Sequence, residues 1–256
     1  MKRPWDHIIL GLTILVTGLG CTKQTESNPQ VQVQKPQPSA QVERKSRSDD
    51  VKVASQRAVA LVEQLGGTST ENLNSVEKPI IKVSLRDRAL NDEGMAVVGT
   101  LTNLQELDLW NCREITDAGL VHLKNMEQLK VLILWNTPIS GIGLQNLSSL
   151  SRLETLNVAL CPFSDEGLKH VRTMTNLRHL DVASTRVTES ALSDLKPLSQ
   201  LRWINLQNIP VTDTGLANLH GLSNLEFIGL VGTKVTDAGI KTLQESIPKA
   251  KIQWPE

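Results

Sequence analysis

The chain has 256 residues, and 27 Lys+Arg balance 27 Asp+Glu to give zero formal net charge. That balance argues against nucleic acid as a partner, because neutralising phosphates takes a basic face. With no Tyr, two Phe and five Trp, any core must be filled by Leu, Val, Ile and Ala.

Residues 1–21 read as an export signal. Lys2 and Arg3 supply a positive start, and Ile8 to Leu19 an apolar run shorter than the roughly 20 residues a membrane span needs. The run ends in Gly18-Leu19-Gly20-Cys21, which resembles the bacterial lipobox, although Gly18 stands where Leu is usual. The resemblance implies that Cys21 is a lipid-attachment site and that the protein is a membrane-anchored lipoprotein of the bacterial envelope. Thr22 offers no evident retention signal, which favours the outer membrane or surface. Residues 22–49 are rich in Gln, Pro, Ser and Lys. They hold too little apolar surface to offset ordering entropy, so they read as a disordered tether.

Residues 50–80 read as a cap helix and connector. Val53, Ala54, Ala58, Leu61, Val62 and Leu65 recur at helical spacing, and Gly66-Gly67 stops the run. From residue 81 to 256 one pattern dominates. Leu104-Gln-Glu-Leu107-Asp-Leu109 returns at Leu129, Leu153, Leu177, Leu201 and Leu225, and a degenerate copy, Ile81-Lys-Val83-Ser-Leu85, precedes it. A fixed period of about 24 residues built on L-x-x-L-x-L predicts stacked strand-and-helix repeats with one continuous core. Ile252 and Trp254 are placed to close the last open edge.

The second half of each repeat carries its own signal. Thr116-Asp117, Ser164-Asp165, Thr212-Asp213 and Thr236-Asp237 predict helix N-caps, the hydroxyl accepting a backbone N–H and the carboxylate facing the helix dipole. Ile139-Ser140-Gly141 lacks the Asp, and Thr188-Glu189 replaces it. Cys112 and Cys161 occupy the same place in repeats two apart, so about 10 Å should separate them. A disulfide needs Cα atoms within about 7 Å; two buried, reduced thiols are expected. No metal-ligand spacing and no cofactor motif stands out.

The Ile/Val-Thr-Asp-x-Gly-Leu half-repeat resembles the ribonuclease-inhibitor-like leucine-rich repeats, in particular their cysteine-containing subclass. With a lipobox ahead, the chain resembles the leucine-rich-repeat lipoproteins of certain bacteria. The resemblance implies an α/β fold, a right-handed βα solenoid or horseshoe with a concave parallel sheet. It brings no enzymatic residues with it.

Strand alternation points Leu107 and Leu109 inward and Glu106, Asp108 and Trp110 onto the concave face. Carried through the repeats, it gives three columns, whose candidate binding residues are Trp110, Val131, Ile133, Trp135, Thr155, Asn157, His179, Asp181, Trp203 and Phe227. Grouped aromatic and aliphatic side chains on an open face suit a binding hot spot. The expected function is a non-catalytic, monomeric module for a protein partner, held at the membrane by its lipid. One alternative is a structural envelope protein without a discrete ligand. Another is a hydrolase built on His179 and Asp181, since an Asp can orient an imidazole.

Overall fold

The computed structural model describes residues 40–254, with side chains from Asp49 onward. The stretch read as an export signal, Cys21 and the stretch read as a tether up to residue 39 lie outside the described residues. Among the described residues no helix is long and apolar enough to cross a membrane.

Helix α1 (Ala40–Gln64) starts within the stretch read as disordered tether, ahead of the cap helix expected from residue 50. The reason is local. Pro38 is the last proline ahead of the helix, and Ala40, Gln41, Glu43, Arg44 and Lys45 are all good helix formers. Ala58 and Val62 are fully buried at its far end. The helix closes with Gly66 at φ 72, its N–H bonded to Glu63 O and that of Gly67 to Val62 O, both at 2.8 Å. Those two bonds make a Schellman motif, which needs a left-handed residue and therefore favours glycine.

The connector contains a strand that the sequence pattern does not reveal. Strand β1 (Thr68–Glu71) runs antiparallel to β2 (Ile80–Ser84), pairing Thr68 with Ser84. Every later strand is parallel to its neighbours: β3 (Glu106–Asp108), β4 (Val131–Ile133), β5 (Thr155–Asn157), β6 (His179–Asp181), β7 (Trp203–Asn205), β8 (Phe227–Gly229) and β9 (Lys251–Gln253). The single sheet is ordered β1 to β9 as in the chain. One face carries Val83, Leu107, Leu132, Leu156, Leu180, Ile204 and Ile228, all buried. Each such side chain contributes roughly 1.5–3 kcal/mol by leaving water. Ile252 and Trp254 pack against this core at its far end, as their position suggested.

The return segments are mixed rather than uniformly α-helical. Helices α2 (Asp92–Val98), α3 (Asp165–Val171), α4 (Asp213–Leu216) and α5 (Asp237–Ser246) are α-helical, whereas Gly119–Leu123, Ile142–Leu147, Glu189–Leu195 and Ala217–Leu219 are 3₁₀. A short repeat leaves few residues to bridge the strands, and 3₁₀ geometry covers more length per residue.

The Thr-Asp column does more than cap. Thr236 does accept from Gly239 N–H and Thr116 from Ala118 N–H, but the helices beginning after Ser164, Thr188 and Thr212 have no side-chain cap. Instead, each carboxylate reaches forward to the next repeat. Asp92 takes the Thr116 N–H and hydroxyl at 2.8 and 2.6 Å, and Asp117 does the same for Ser140 at 2.9 and 2.7 Å. Asp165 clamps Thr188, Glu189 clamps Thr212 and Asp213 clamps Thr236 in the same way. The glycine column follows from this. A Cβ on Gly119 or Gly239 would collide with the clamping carboxylate below it, and one on Gly215 with the Cβ of the clamping Glu189. Gly141 supplies no carboxylate, and the Ser164 N–H and hydroxyl donate instead to the carbonyl of Ser140, at 3.1 Å and 3.5 Å.

Cys112 and Cys161 are free and buried, as expected. Each thiol donates at 2.9 Å to a backbone carbonyl, Leu85 O and Leu134 O respectively. In other repeats Thr137, Thr185 and Thr233 stand at this place and donate to the carbonyl three residues back.

Candidate binding surface

The parallel register fixes the columns on the open face. Lys82, Glu106, Val131, Thr155, His179, Trp203, Phe227 and Lys251 pair in one line; Ser84, Asp108, Ile133, Asn157, Asp181, Asn205, Gly229 and Gln253 pair in the next. The first seven of each are the residues expected from alternation; β9 adds the eighth. One more rung continues beyond the strands. The N–H of Asn111 bonds Trp135 O at 2.8 Å and that of Asn136 bonds Ala159 O at 2.9 Å. The third column therefore holds Arg86, Trp110, Trp135, Ala159, Ala183, Gln207 and Val231.

That extra rung ends in a forced turn. Asp87, Asn111, Asn136, Leu160, Ser184 and Asn208 all lie at φ between 53 and 59. Asn and Asp tolerate this conformation through their short polar side chains. Leu160 does not share that advantage, and it is 46% exposed. It breaks a side-chain ladder in which Asn111 donates to Asp87 and Asn136 to Asn111, each at 2.6 Å.

The aromatic candidates come together as two stacks. Trp110 and Trp135 lie face to face with centroids 4.4 Å apart and planes 10° from parallel; Trp203 and Phe227 are 5.3 Å apart at 9°. Strand spacing of about 4.8 Å sets these separations, so adjacent rings in one column must either stack or splay. The sequence does not reveal that Arg86 extends the first stack, its guanidinium carbon 4.7 Å from the Trp110 centroid and its Nη1 3.7 Å from Asp108 Oδ2. All four rings remain partly exposed, as do Val131, Ile133 and Thr155.

The second column is structural as well as exposed. Asp108, Asn157, Asp181 and Asn205 each accept the N–H two residues ahead, at 3.0–3.2 Å. These are Asx turns that steer the chain off the strand. Burial pushes the Asp108 and Asp181 carboxyls above the ordinary value, against the lowering effect of those same bonds. Asp181 is committed to Ala183 N–H, Asn157 and Asn205. His179 is exposed and is not among its partners, so the pairing a hydrolase would need is not made.

With geometry and register established, comparison with known proteins is informative. Residues 100–123 and 151–170 match the family profile described as Leucine Rich repeat. This is a leucine-rich-repeat solenoid. The leucine-rich-repeat domain is similar to internalin C2 of Listeria monocytogenes, with 23% identity and TM-score 0.57, covering 69% of this chain and 74% of that one. An internalin (inlF) of the same organism shows 18% identity and TM-score 0.42 over 63% of this chain and 59% of its own. The plant peptide hormone receptor RGFR1, in complex with RGF2, shows 14% identity and TM-score 0.45, over 62% of this chain and 26% of the receptor. The likeness to internalin C2, at 23% identity, speaks for the fold alone. No curated protein matches the leucine-rich-repeat chain in sequence.

A second concavity lies at the N-terminal end of the solenoid. A groove of about 810 Å³ is lined by Val51, Ser55, Val59, Pro79, Ile80 and Leu101 among others. Periodicity assigned these α1 residues to a cap and gave no hint of a groove, because the opposite wall comes from β2 and the turn after α2.

Proposed function

We propose that this leucine-rich-repeat protein is a non-catalytic binding module, exported and lipid-anchored through Cys21, whose concave sheet captures a protein partner. The observation that carries this reading is the pair of stacked aromatic clusters on one open face. Trp110 with Trp135, and Trp203 with Phe227, keep part of their ring surface in water while held rigid. Rigid aromatic area loses little entropy on association, and such residues dominate interface energetics. Leucine-rich repeats use their concave surfaces for binding in general. The address rests on the apolar run before Cys21, which supports export.

Two measurements test the proposal. Trp110→Ala/Trp135→Ala should abolish capture of the partner recovered by cross-linking in the native cell while leaving the thermal midpoint within a few degrees. Unchanged capture with intact folding would remove the concave face from the function. For the address, intact mass and membrane fractionation should give a diacylated Cys21 at the mature N-terminus, lost in Cys21→Ser; a soluble, unprocessed chain would refute it.

A further inference from the structure

The zero net charge of the chain is not spread evenly over the solenoid. The segments leading from the return side into β3–β8 are residues 99–105, 124–130, 148–154, 172–178, 196–202 and 220–226. They hold seven Lys or Arg against three Glu, so stacking gathers them into a basic edge. The clamp carboxylates stand on the opposite edge, where the chain leaves the strands.

Part of this basic edge is compensated in place. Arg172 pairs with Asp194, Arg178 with Glu154 and Arg202 with Glu226. Lys124, Lys130, Arg152 and Lys196 are exposed and form no ion pair among the described residues. Two of these four, Lys130 and Arg152, line one recess of about 200 Å³, together with Ser151, Glu154 and Arg178 among others.

The backbone explains how the recess is charged. Glu154 N–H donates to Lys130 O and Arg178 N–H to Glu154 O, both at 2.8 Å. The three side chains therefore stand in one row at strand spacing, about 4.8 Å apart. Glu154 Oε2 turns to Arg178 Nε at 3.5 Å and makes no pair with Lys130. Arg152 reaches the other way, its Nη1 donating to Gln128 Oε1 in the repeat that carries Lys130. The carboxylate is drawn to one side and the two uncompensated cations to the other. Glu127, the third Glu of the edge besides Glu226, does not line the recess.

Two free positive charges beside the Ser151 hydroxyl suit an anion of two charges with several acceptor oxygens. A carboxylate offers one charge and two oxygens. A phosphate monoester at pH 7 carries a charge of about −1.5 to −2 and three acceptor oxygens. A guanidinium fork and an ammonium point charge are both established partners for it.

We infer that the recess lined by Lys130, Ser151 and Arg152 binds the phosphate group of a phosphate monoester. The assignment does not depend on the aromatic stacks of the concave face.

The test uses the full chain with ¹⁵N-labelled arginine at fixed ionic strength, titrated with glycerol 3-phosphate, inorganic phosphate and acetate. Glycerol 3-phosphate should shift the Arg152 Nε–H signal ahead of that of Arg202, and acetate should bind about tenfold more weakly. Binding should weaken as pH falls below about 6, where the ester becomes a monoanion. Inorganic phosphate should bind within a few-fold of the ester; binding of inorganic phosphate alone would overturn the ester as ligand. Lys130→Gln and Arg152→Gln should each weaken binding about tenfold. Lys196→Gln removes an uncompensated cation of the same edge that does not line the recess, and should leave binding unchanged. All three side chains are exposed, so the thermal midpoints should stay within a few degrees. Acetate binding as tightly as the ester would overturn the site. So would equal weakening by Lys196→Gln, which would mean that the anion senses only the general field of the edge.

Discussion

Leu160 shows how one residue can run against its surroundings. Its equivalents are Asp, Asn, Ser and, at φ 73, Gly232, all of which tolerate the left-handed turn better than a γ-branched apolar side chain. Leu160→Asn should therefore stabilise the fold by about 1 kcal/mol, the approximate cost of that conformation for an ordinary residue, and extend the ladder from Asn136. A raised midpoint in urea at unchanged slope would show it. The thiols make an opposite case, in which burial silences reactivity. Burial pushes the Cys112 thiol up to about 11 and raises that of Cys161 as well. Neither should react with a disulfide reagent at pH 8 until the chain unfolds, since thiolate is the reactive form; stoichiometric labelling of the native protein would contradict this.

Between elements, the carboxylate clamps are the main polar connection from repeat to repeat on the return side. Hydrogen bonds from Thr236 and Thr212 hold the Asp213 and Glu189 carboxyls below their ordinary values. With the folded value depressed, the stabilisation is present above the unfolded value and is lost as pH falls through the folded one. Asp108 and Asp181 act in the other sense. Burial raises them, so their favourable contribution belongs to the protonated form and is lost as pH rises through the folded value. Asp213→Asn should flatten the acid limb of the stability profile below pH about 4, whereas Asp181→Asn should keep or raise the thermal midpoint at pH 7. Ser140→Ala removes one clamp hydroxyl from Asp117 and should cost about 1 kcal/mol in chemical denaturation. The clamp series is interrupted where Gly141 meets Ser164. Hydrogen exchange should be faster in the return segments on either side of that junction than at Thr212 or Thr236.

At the scale of the whole molecule, a solenoid is stable only if both ends of its core are closed. At one end α1 buries Ala58 and Val62, and β1 covers the edge of β2. At the other, β9 pairs with β8, and Ile252 and Trp254 cover the last layer. Val62→Asp places an unpaired charge in the first layer, a change of the kind that costs several kcal/mol. It should lower the thermal midpoint far more than any concave-face substitution; a midpoint equal to that of Trp110→Ala would refute the capping role of α1.

The sequence alone determined what periodicity can carry. A spacing of about 24 residues and strand alternation place Leu107, Leu132 and their equivalents inside and Trp110, Trp135, Trp203 and Phe227 outside, because one register, repeated, leaves no freedom in either assignment. It also marked the gap at Gly141, as a missing Asp. Only the tertiary structure decided which atoms those residues meet. Asp117 serves Ser140 in the next repeat rather than its own helix, and Asp181 takes the amide of Asn157 from the preceding repeat rather than His179. Arg86, separated by a whole repeat from Trp110, lies on its ring. Each of these contacts joins residues brought together by stacking, and a local pattern holds no record of how one repeat settles on the next.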